Sequence, residues 1–480
     1  MTRALFSGLP LSPAQLDALT GHGYAEMTPV QAQSLPAILA RKDVIIQAKT
    51  GSGKTAAFAI GLLHHLNPRH FGVQAMVMCP TRELAEQVGD AIRQLASRMP
   101  NIKVVMLCGG KPFGPQRDSL EHGTHIVVGT PGRIQDHLQR RTLDLTGLTT
   151  FVLDEADRML DMGFADEMAS ITASLPEARQ TLLLSATFPD DIKKISRSIQ
   201  REPVSIKAET VIAQDQVTLE QLFFEIQKHE RETALIALFE HYQPQNAMVF
   251  CNTKKQCDDV ARFLQTNDIE AAAIHGDLEQ RQRDQVLLQF ANDSCPVLIA
   301  SDVAARGLDI PALEMVVNFE LPRDADTYLH RIGRTGRAGQ SGKAFSLVTP
   351  AEAPRMRVIE DHLNITGICD QLASLDRDPN YGLRGAMATI QIDAGRKQKI
   401  RPGDVLGALT GDAGLDAGSI GKITIADNVS HVAVTRAALR QAMSYLSQGK
   451  VKGRAIRARH VGSTVPPSHS RQRDAKRRRS

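Results

Sequence analysis

Two short groups of residues have the composition and order needed for nucleotide chemistry. The first, residues 48–55, reads Ala-Lys-Thr-Gly-Ser-Gly-Lys-Thr and follows the apolar run 44–46. A glycine-rich turn between a strand and a helix lets backbone N–H groups and the helix dipole hold phosphates. The generic pattern begins with Gly where this chain has Ala48, and its lysine reaches the β- and γ-phosphates while its last hydroxyl binds Mg²⁺. The residues expected to contact ATP here are Thr50, Gly51, Ser52, Gly53, Lys54 and Thr55.

The second group is Asp154-Glu155-Ala156-Asp157, which ends the apolar run 151–153. An apolar strand that stops at acidic residues brings their charges to the rim of a buried sheet. There Asp154 can hold a hydrated Mg²⁺, and Glu155 can orient and deprotonate the attacking water. Four such residues alone are usually a solvated turn. Their position about a hundred residues after the glycine-rich turn is the spacing of a Walker A and Walker B pair, so the sequence predicts hydrolysis of a nucleoside triphosphate.

Length and composition exclude several classes of protein. A chain of 480 residues is too long for one core and predicts two to four domains. No apolar run approaches the ~18 residues of a membrane span, and the first six residues lack the apolar core of a signal peptide. The six cysteines form no Cys-x-x-Cys pair, which favours reduced thiols over a zinc site. We therefore expect a cytoplasmic protein.

Charge is distributed unevenly along the chain. Residues 381–480 contain 19 lysines and arginines against 6 aspartates and no glutamate, whereas the other 380 residues contain 38 against 47 acidic residues. An acidic body with a basic C-terminal module is the electrostatic pattern of a protein that binds polyanions, nucleic acid first. A merely solvated basic face is the alternative.

Hydrophobic patterning predicts two tandem α/β lobes, each with a doubly wound parallel sheet. We place the first lobe at residues 1–207, a linker at 208–217 and the second lobe at 218–368. Only the first lobe has a glycine-rich phosphate loop, so the second is expected to complete the site. The predicted strands are 44–46, 75–79, 126–128, 151–153 and 181–184 in the first lobe, and 247–251, 271–274, 297–300, 315–319 and 344–348 in the second.

A smaller module follows a second linker at residues 369–383. Residues 384–461 alternate as strand 387–392, helix 402–411, strands 421–426 and 430–435, helix 436–448 and strand 451–460. This βαββαβ order is the ferredoxin-like plan of RNA-recognition modules. Residues 462–480 are rich in serine, proline and arginine and are expected to form a disordered basic tail that adds salt-sensitive affinity for any RNA.

Taken in order, the motifs of residues 5–365 resemble those of the DEAD-box ATP-dependent RNA helicases, whose core consists of two RecA-like lobes. Residues 23–31, Gly-Tyr-Ala-Glu-Met-Thr-Pro-Val-Gln, look like the Q motif of that family. The resemblance implies that Gln31 reads adenine, because an amide can pair with adenine N6 and N7. It also suggests that Tyr24 stacks on the base.

The resemblance assigns roles to further motifs. It implies that the strand-end motifs of the first lobe and one helix of the second contact RNA backbone and 2′-hydroxyls. The implied RNA-binding residues are Pro80, Thr81, Arg82, Gly110, Thr130, Arg133, Gln280 and Arg283. The residues implied to couple hydrolysis to unwinding are Asp157, Ser185, Thr187 and His330.

The second lobe is expected to supply the rest of the nucleotide site. Gly307 and Asp309 belong to a motif that resembles the ATP-contacting segment of the family. Residues 330–337, His-Arg-Ile-Gly-Arg-Thr-Gly-Arg, contain three arginines, of which Arg334 and Arg337 are the candidate arginine fingers. An arginine presented across a cleft neutralises the charge that builds on the γ-phosphate, an effect worth ~10³–10⁵ in rate. Hydrolysis would then require closure of the lobes, with local and non-processive unwinding of short duplexes.

The C-terminal module carries a more specific resemblance. Residues 401–412 and 420–423 resemble the RNA-binding domain of a bacterial DEAD-box subfamily that recognises a hairpin of large-subunit (23S) ribosomal RNA. The resemblance implies a role in large-subunit assembly. The two central strands lack Phe, Tyr and Trp, so the sheet offers no stacking platform of the usual kind. We therefore expect basic edges to bind RNA, through Arg396, Lys397, Lys399, Arg401, Lys450, Lys452 and Arg454.

Alternative functions remain open at this stage. The same core would serve a DEAD-box helicase acting on messenger RNA or on cold-stabilised duplexes. A non-enzymatic, nucleotide-gated RNA clamp would keep the fold but not the catalytic residues. A DNA helicase is disfavoured by the Q motif and the RNA-type module. The expected ligands are ATP, Mg²⁺ and RNA, most specifically 23S rRNA or a precursor of the large subunit, and we expect a monomer.

Overall fold

A computed structural model of the chain describes residues 4–48, 51–207, 219–305, 308, 310, 313–336, 342–363, 369–448 and 450–462. The chain divides into two compact units, one of residues 1–214 with 307–309 and one of residues 215–306 with 310–480. The first unit contains the first predicted lobe, and the second contains the second lobe together with the C-terminal module. Among the described helices, none is both long enough and apolar enough to cross a bilayer.

The described part of the first lobe is built around a parallel sheet flanked by helices. Its strands are β1 (Val44–Gln47), β2 (Ala75–Met78), β3 (Val104–Leu107), β4 (Ile126–Gly129), β5 (Thr150–Leu153), β6 (Gln180–Ser185) and β7 (Val204–Lys207). Its helices are α1 (Pro13–Gly21), α2 (Pro29–Leu39), α3 (Lys54–His65), α4 (Arg82–Leu95), α5 (Phe113–Glu121), α6 (Pro131–Gln139), α7 (Ala156–Asp161), α8 (Ala165–Ala173) and α9 (Asp190–Ile199). The strands lie in the order β3-β4-β2-β5-β6-β1-β7. β2, β4, β5 and β6 are buried along their whole length, which explains their continuous apolar sequences.

The second lobe repeats this architecture. Its strands are β8 (Leu219–Glu225), β9 (Ala247–Cys251), β10 (Ala271–Ile274), β11 (Val297–Ser301), β12 (Met315–Asn318), β13 (Gly342–Val348) and β14 (Cys369–Asp370). Its helices are α10 (Arg231–Tyr242), α11 (Lys254–Thr266), α12 (Gln280–Ala291), α13 (Asp302–Ala305), α14 (Ala325–Ile332) and α15 (Ala353–Leu363). The parallel strands lie in the order β10-β11-β9-β12-β13-β8-β14. Counted within each lobe, this is the same order as in the first sheet, so the prediction of two similar α/β lobes is confirmed.

The matching order identifies β8 as the counterpart of β1. Residues 219–242, which include β8 and the helix after it, contain no glycine, whereas β1 leads into Gly51 and Gly53. Sequence patterning did not predict β3, β7, β8 or β14. β7, β8 and β14 are partly exposed or only two residues long and lack a continuous apolar run, whereas β3 is apolar throughout but is only partly buried at the sheet edge. Because β14 pairs with β8, the sheet of the second lobe extends to residue 370, beyond the expected boundary at 368.

The C-terminal module has a four-stranded antiparallel sheet in the order β16-β17-β15-β20. Its elements are β15 (Met387–Ile392), α16 (Pro402–Gly407), β16 (Ile420–Ile425), β17 (Ser430–Thr435), α17 (Leu439–Gln448), β18 (Lys450–Val451), β19 (Arg454–Ala455) and β20 (Ala458–Val461). The βαββαβ plan is confirmed. Two predicted elements differ in detail: helix 402–411 continues after residue 407 as a π turn over Ala408–Asp412, and strand 451–460 is divided into the hairpin β18–β19 and the sheet strand β20.

Candidate nucleotide and RNA sites

The predicted motifs of the first lobe lie at one edge of its sheet. Parallel strands present their carboxyl ends together, and this edge is where open α/β sheets bind ligands. Each of six strands delivers one motif there. The motifs are residues 48–55 after β1, 80–82 after β2, 109–110 after β3, 130–133 after β4, 154–157 after β5 and 185–187 after β6.

The phosphate loop has the backbone that its sequence predicts. Gly51 and Gly53 have φ values of 84° and 89°, in the left-handed region that favours glycine. α3 begins at Lys54, so its N-terminal amides follow the turn directly. The Lys54 ammonium is buried and donates a hydrogen bond to the Ala48 carbonyl, and burial lowers its pKa despite the nearby carboxylate of Asp154. Thr50 lies outside the described residues.

Gln31 and Thr28 fasten helix α2 to the phosphate loop. The Thr28 amide donates to Gln31 Oε1 at 2.9 Å, the Gln31 side chain donates to the Gly53 carbonyl at 3.2 Å, and the Thr28 hydroxyl donates to the Ser52 carbonyl at 2.9 Å. A Cβ added to Gly53 would fall 2.6 Å from Gln31 Nε2, so only glycine fits there without movement. The role of Thr28 was not predicted, although Thr-x-x-Gln is a recognisable capping box.

The adenine-binding role of Gln31 therefore stays a prediction. The amide is buried and already makes two protein contacts, so it would use its remaining N–H and lone pair for the base. Tyr24 packs edge-on against Phe6 with 6.4 Å between ring centroids. Its stacking on adenine likewise stays a prediction.

The acidic cluster is buried at the end of β5. Burial, reinforced by the neighbouring charge of Glu155, raises the pKa of Asp154 to about 7, although Lys54 and Arg158 oppose the shift. Two adjacent buried carboxylates create a site at which a cation would relieve both desolvation and like-charge repulsion. Carboxylate and hydroxyl oxygens are also ligands that Mg²⁺ prefers, so Asp154 and Thr55 fit that metal chemically.

Glu155 is held by a residue that was not predicted to act in the site. Arg158 Nη1 donates to Glu155 Oε2 at 2.6 Å, and both side chains are buried. Glu155 has a left-handed backbone, with φ 55° and ψ 52°, at the residue before α7. The sequence signal for this contact was the i,i+3 spacing of Glu155 and Arg158 across the start of a helix.

Asp157 joins the acidic cluster to the motif after β6. Its Oδ2 accepts hydrogen bonds from the Ala186 amide at 3.1 Å and from the amide and hydroxyl of Thr187 at 2.8 and 2.9 Å. Its own amide donates to Ser185 Oγ at 3.3 Å. Burial alone would raise the pKa of Asp157, but the hydrogen bonds from Thr187 and Ser185 outweigh it and hold that pKa below its ordinary value. The geometry thus brings together three of the four predicted coupling residues.

Two arginines lie over the loops at the neighbouring strand ends. A Cβ on Gly109 would lie 3.2 Å from Arg82 Nη2, so this arginine covers the glycine pair that follows β3. Arg133 donates to the Lys111 carbonyl at 3.2 Å and to Gln116 at 3.1 Å. The remaining predicted RNA contacts of this lobe occupy the same edge: Pro80 and Thr81 precede or cap α4, Gly110 has φ 78°, and Thr130 precedes α6.

In the second lobe, Arg331 lies buried at the carboxyl ends of three strands. Arg331 is 1% exposed and forms a paired contact with Asp302 at 2.6 and 2.8 Å. It also donates to Asn252 at 2.8 Å and to Asn318 at 3.1 Å, which ties together three strand ends. These contacts give Arg331 a structural role that the sequence did not distinguish.

The structure describes some of the other predicted residues of this lobe and not the rest. Arg334 follows α14, and its carbonyl accepts a hydrogen bond from the Leu313 amide at 3.2 Å. His330 lies on α14, whereas Gln280 and Arg283 lie on the first turn of α12. Gly307, Asp309 and Arg337 lie outside the described residues, so their roles stay predictions.

The two basic segments of the C-terminal module meet in space. Lys452 Nζ donates to the Lys399 carbonyl at 2.8 Å and lies 3.2 Å from Asp404. This contact joins the loop before α16 to the hairpin β18–β19. The exposed side chains that share the resulting surface, here called the basic edge, are Arg396, Lys397, Lys399, Arg401, Lys450, Lys452 and Arg454.

The second lobe packs against the usual RNA-binding face of the sheet at the central strand β15. Ile390 and Ile392 of β15 point into the module core, so Thr389 points to the opposite face, where it is fully buried. Its hydroxyl lies 2.7 Å from Ser294 Oγ and accepts from Asn292 Nδ2 at 3.2 Å. These contacts explain in physical terms why the central strands do not need aromatic residues: their face packs against protein.

Three known domain families match successive parts of the chain. The DEAD/DEAH box helicase family matches residues 28–195, the helicase conserved C-terminal domain matches 230–339, and the DbpA RNA binding domain matches 389–460. The ATP-dependent RNA helicase DbpA of Escherichia coli (strain K12) is 52% identical over 449 residues, which cover 94% of this chain and 97% of that protein. The DEAD-box ATP-dependent RNA helicase CshA of Bacillus subtilis (strain 168) is 43% identical over 357 residues, covering 74% of this chain and 72% of that protein.

A solved structure shows the same likeness. The S. cerevisiae Dbp5 structure with RNA and ADP BeF3 aligns with a TM-score of 0.69 at 29% identity, covering 77% of this chain and 96% of that chain. The chain thus belongs to the DEAD-box family of ATP-dependent RNA helicases. Within that family it is of the DbpA type, because both the full-length match and the C-terminal RNA-binding domain point to that group.

Proposed function

We propose that the chain unwinds short RNA duplexes locally, is directed by its C-terminal module to a hairpin of 23S ribosomal RNA, and acts in large-subunit assembly. The observation that carries this proposal is the basic edge of a domain that matches the DbpA RNA binding domain. Because the centre of the sheet face packs against the second lobe, we assign RNA binding to the exposed lysines and arginines of the basic edge. Lysines and arginines at such an edge would contact phosphates, while neighbouring groups would read unpaired bases.

In the proposed mechanism, Lys54 and the amides of the phosphate loop bind the triphosphate of ATP. Mg²⁺, when bound near Asp154 and Thr55, supplies the charge that offsets the developing negative charge on the phosphates. Glu155 accepts the proton of the attacking water. Its attachment to Arg158 supports this role, because a base must be held in a fixed orientation to act on one water.

The second lobe completes the proposed site through Arg334 and Arg337. Arg331 is assigned a structural role, since its guanidinium is bound to Asp302, Asn252 and Asn318. Asp157 would transmit the state of the nucleotide through its hydrogen bonds to residues 186 and 187. We also propose that the protein is cytoplasmic and that it is a monomer.

Action on other RNAs, such as messages or cold-stabilised duplexes, is the competing function. Binding measurements on the full chain separate the two. We expect a 23S fragment that contains the hairpin to bind more tightly than an equally long RNA without it. Alanine at Arg396, Lys397, Lys399 and Arg401 should weaken hairpin binding and remove most of that preference, with a smaller loss for the control RNA from the missing phosphate contacts. Equal affinity of the wild-type chain for both RNAs would favour the competing function.

A further inference from the structure

A groove lies on the C-terminal module, between α17 and the π turn 408–412. Its volume is about 740 Å³. One wall is α17 and the other is the chain segment at the end of the π turn. The lining residues are Asp412, Ala413, Ala437, Arg440, Gln441, Ser444 and Tyr445.

Tyr445 is the feature that distinguishes this groove. It is the only Phe, Tyr or Trp in residues 384–462. Its hydroxyl lies 2.9 Å from Asp412 Oδ2, which lines the groove, and 3.1 Å from the Lys450 carbonyl, so these two acceptors restrain the orientation of the ring. A tyrosine restrained in this way offers an aromatic face at low cost in conformational entropy.

Tyr445 also links the groove to the basic edge. The carbonyl that contacts Tyr445 belongs to Lys450, and β18–β19 then carries Lys452 to the Lys399 carbonyl at 2.8 Å. A strand of RNA whose phosphates follow the basic edge would therefore pass beside the tyrosine ring. Arg440, Gln441 and Ser444 supply hydrogen-bonding groups along the α17 wall.

An irregular backbone shapes the opposite wall. α16 continues as a π turn over Ala408–Asp412, closed by a hydrogen bond from the Ala413 amide to the Ala408 carbonyl at 3.0 Å. Gln441 Nε2 donates to the Ala413 carbonyl at 2.9 Å and ties this wall to α17. Such π turns are uncommon and occur frequently at functional sites. Here the turn carries Asp412 to the tyrosine hydroxyl.

We propose that this groove is a base-binding subsite, in which an unpaired RNA base stacks on Tyr445 while the polar groups of α17 contact its edge. The inference rests on the proposed function, because it extends the RNA surface of the basic edge. In this subsite the aromatic contact lies between a helix and a π turn, whereas RNA-recognition modules usually have it on the sheet. Stacking of this kind is worth about 10- to 100-fold in affinity per base.

Equilibrium binding of the full chain to three fluorescent RNAs tests the subsite. The probes are the 23S hairpin, the same hairpin with each loop nucleotide in turn made abasic, and a blunt, fully paired RNA duplex. Tyr445→Leu should weaken hairpin binding about 10- to 100-fold and duplex binding less than about threefold. Tyr445→Phe keeps the ring and should retain most of the affinity. Phe71→Leu, which removes an exposed aromatic ring from the first lobe, should change neither.

Non-additivity identifies the base concerned. One abasic position should weaken hairpin binding by the wild-type chain by about the same factor as the Tyr445→Leu substitution does. The same abasic hairpin should bind the Tyr445→Leu variant no more weakly than the intact hairpin does. Unchanged hairpin affinity in Tyr445→Leu, equal losses on hairpin and duplex, or additive losses for every abasic position would each overturn the subsite. Thermal unfolding and binding of the blunt duplex, both nearly unchanged, establish that the variant is folded.

The same experiment separates the subsite from the proposed target. If the wild-type chain prefers the hairpin and loss of the basic edge removes that preference, but Tyr445→Leu has no effect, only the subsite is wrong. If the wild-type chain shows no preference for the hairpin, the proposed target is wrong. Tyr445→Leu must then still weaken binding of unstructured oligo(U) relative to the duplex, and failure there overturns the subsite as well.

Discussion

Arg158 Nη1 lies 2.6 Å from Glu155 Oε2 in a buried ion pair at the end of β5. The arginine lies in the first turn of helix α7 together with Asp157, whose carboxylate accepts hydrogen bonds from the motif after β6. One short helix therefore fixes both the proposed base and the proposed coupling residue. The orientation of Glu155 therefore depends on the Arg158 side chain.

Replacement of Arg158 should lower turnover without weakening ATP binding. We expect Arg158→Met to reduce kcat about 10- to 100-fold with KM for ATP nearly unchanged, because misplacement of a catalytic base slows the chemical step by about that factor. Arg158→Lys should restore part of the activity. In a Glu155→Gln background, Arg158→Met should have no further effect on single-turnover hydrolysis, whereas an additive loss would mean that Arg158 does not act through Glu155.

Loss of the Thr187 hydroxyl should separate hydrolysis from unwinding. Thr187→Ala removes one of the hydrogen bonds that Asp157 Oδ2 accepts, leaving the amides of residues 186 and 187 in place. A hydrogen bond to a charged group contributes about 1.5–3 kcal/mol, so we expect unwinding to fall about tenfold or more. RNA-stimulated ATPase should change much less. Thr187→Ser, which keeps a hydroxyl, is the control, and a parallel loss of both activities would contradict a coupling role.

The second lobe depends on a buried ion pair between Arg231 and Glu352. Arg231 also donates to the carbonyls of Phe319 and Leu347, and Glu352 accepts from the Leu321 amide at 3.1 Å. Arg231→Met leaves Glu352 charged and buried without its partner, which should cost about 3–5 kcal/mol. Urea unfolding measures the loss. Arg262→Met removes a surface arginine of the same unit and should leave the unfolding midpoint nearly unchanged.

Substitution on the face of the C-terminal sheet that contacts the second lobe should reduce stability but not RNA binding. Thr389→Val removes the hydroxyl that contacts Ser294 and Asn292, and leaves their polar groups buried without that partner. Such a change costs about 1–3 kcal/mol and should raise hydrogen exchange around residue 294. Hairpin affinity should stay within a factor of two or three of wild type. A loss as large as that from the basic edge would mean that the sheet face binds RNA.

Much of the nucleotide site could be predicted because its residues are contiguous in sequence. The glycine turn, Asp154-Glu155 and Ser185-Ala186-Thr187 each lie at the carboxyl end of a largely buried strand, and parallel topology then brings them to one edge. Arg158 and Thr28 were missed because each acts through a side-chain contact whose sequence pattern is short and common. The strand β8 was missed for a different reason, since its alternating exposure breaks the apolar run.

The C-terminal module illustrates the limit of sequence patterning more clearly. The lack of aromatic residues in its central strands indicated that RNA binds elsewhere, and the βαββαβ plan was confirmed. The partner of the sheet face could not be inferred, because Asn292, Ser294 and Thr389 are ordinary polar residues far apart in sequence. Their burial becomes evident only when the fold brings them within hydrogen-bonding distance.

The central claim is that this DbpA-type helicase hydrolyses ATP in response to one ribosomal hairpin. RNA-stimulated ATPase activity tests it most directly, with a 23S fragment that contains the hairpin and a fragment of equal length that lacks it. We expect half-maximal stimulation at a much lower concentration of the hairpin RNA than of the RNA without the hairpin. This difference should disappear when the four basic residues 396, 397, 399 and 401 are alanine. Equal stimulation of the wild-type enzyme by both RNAs would contradict it.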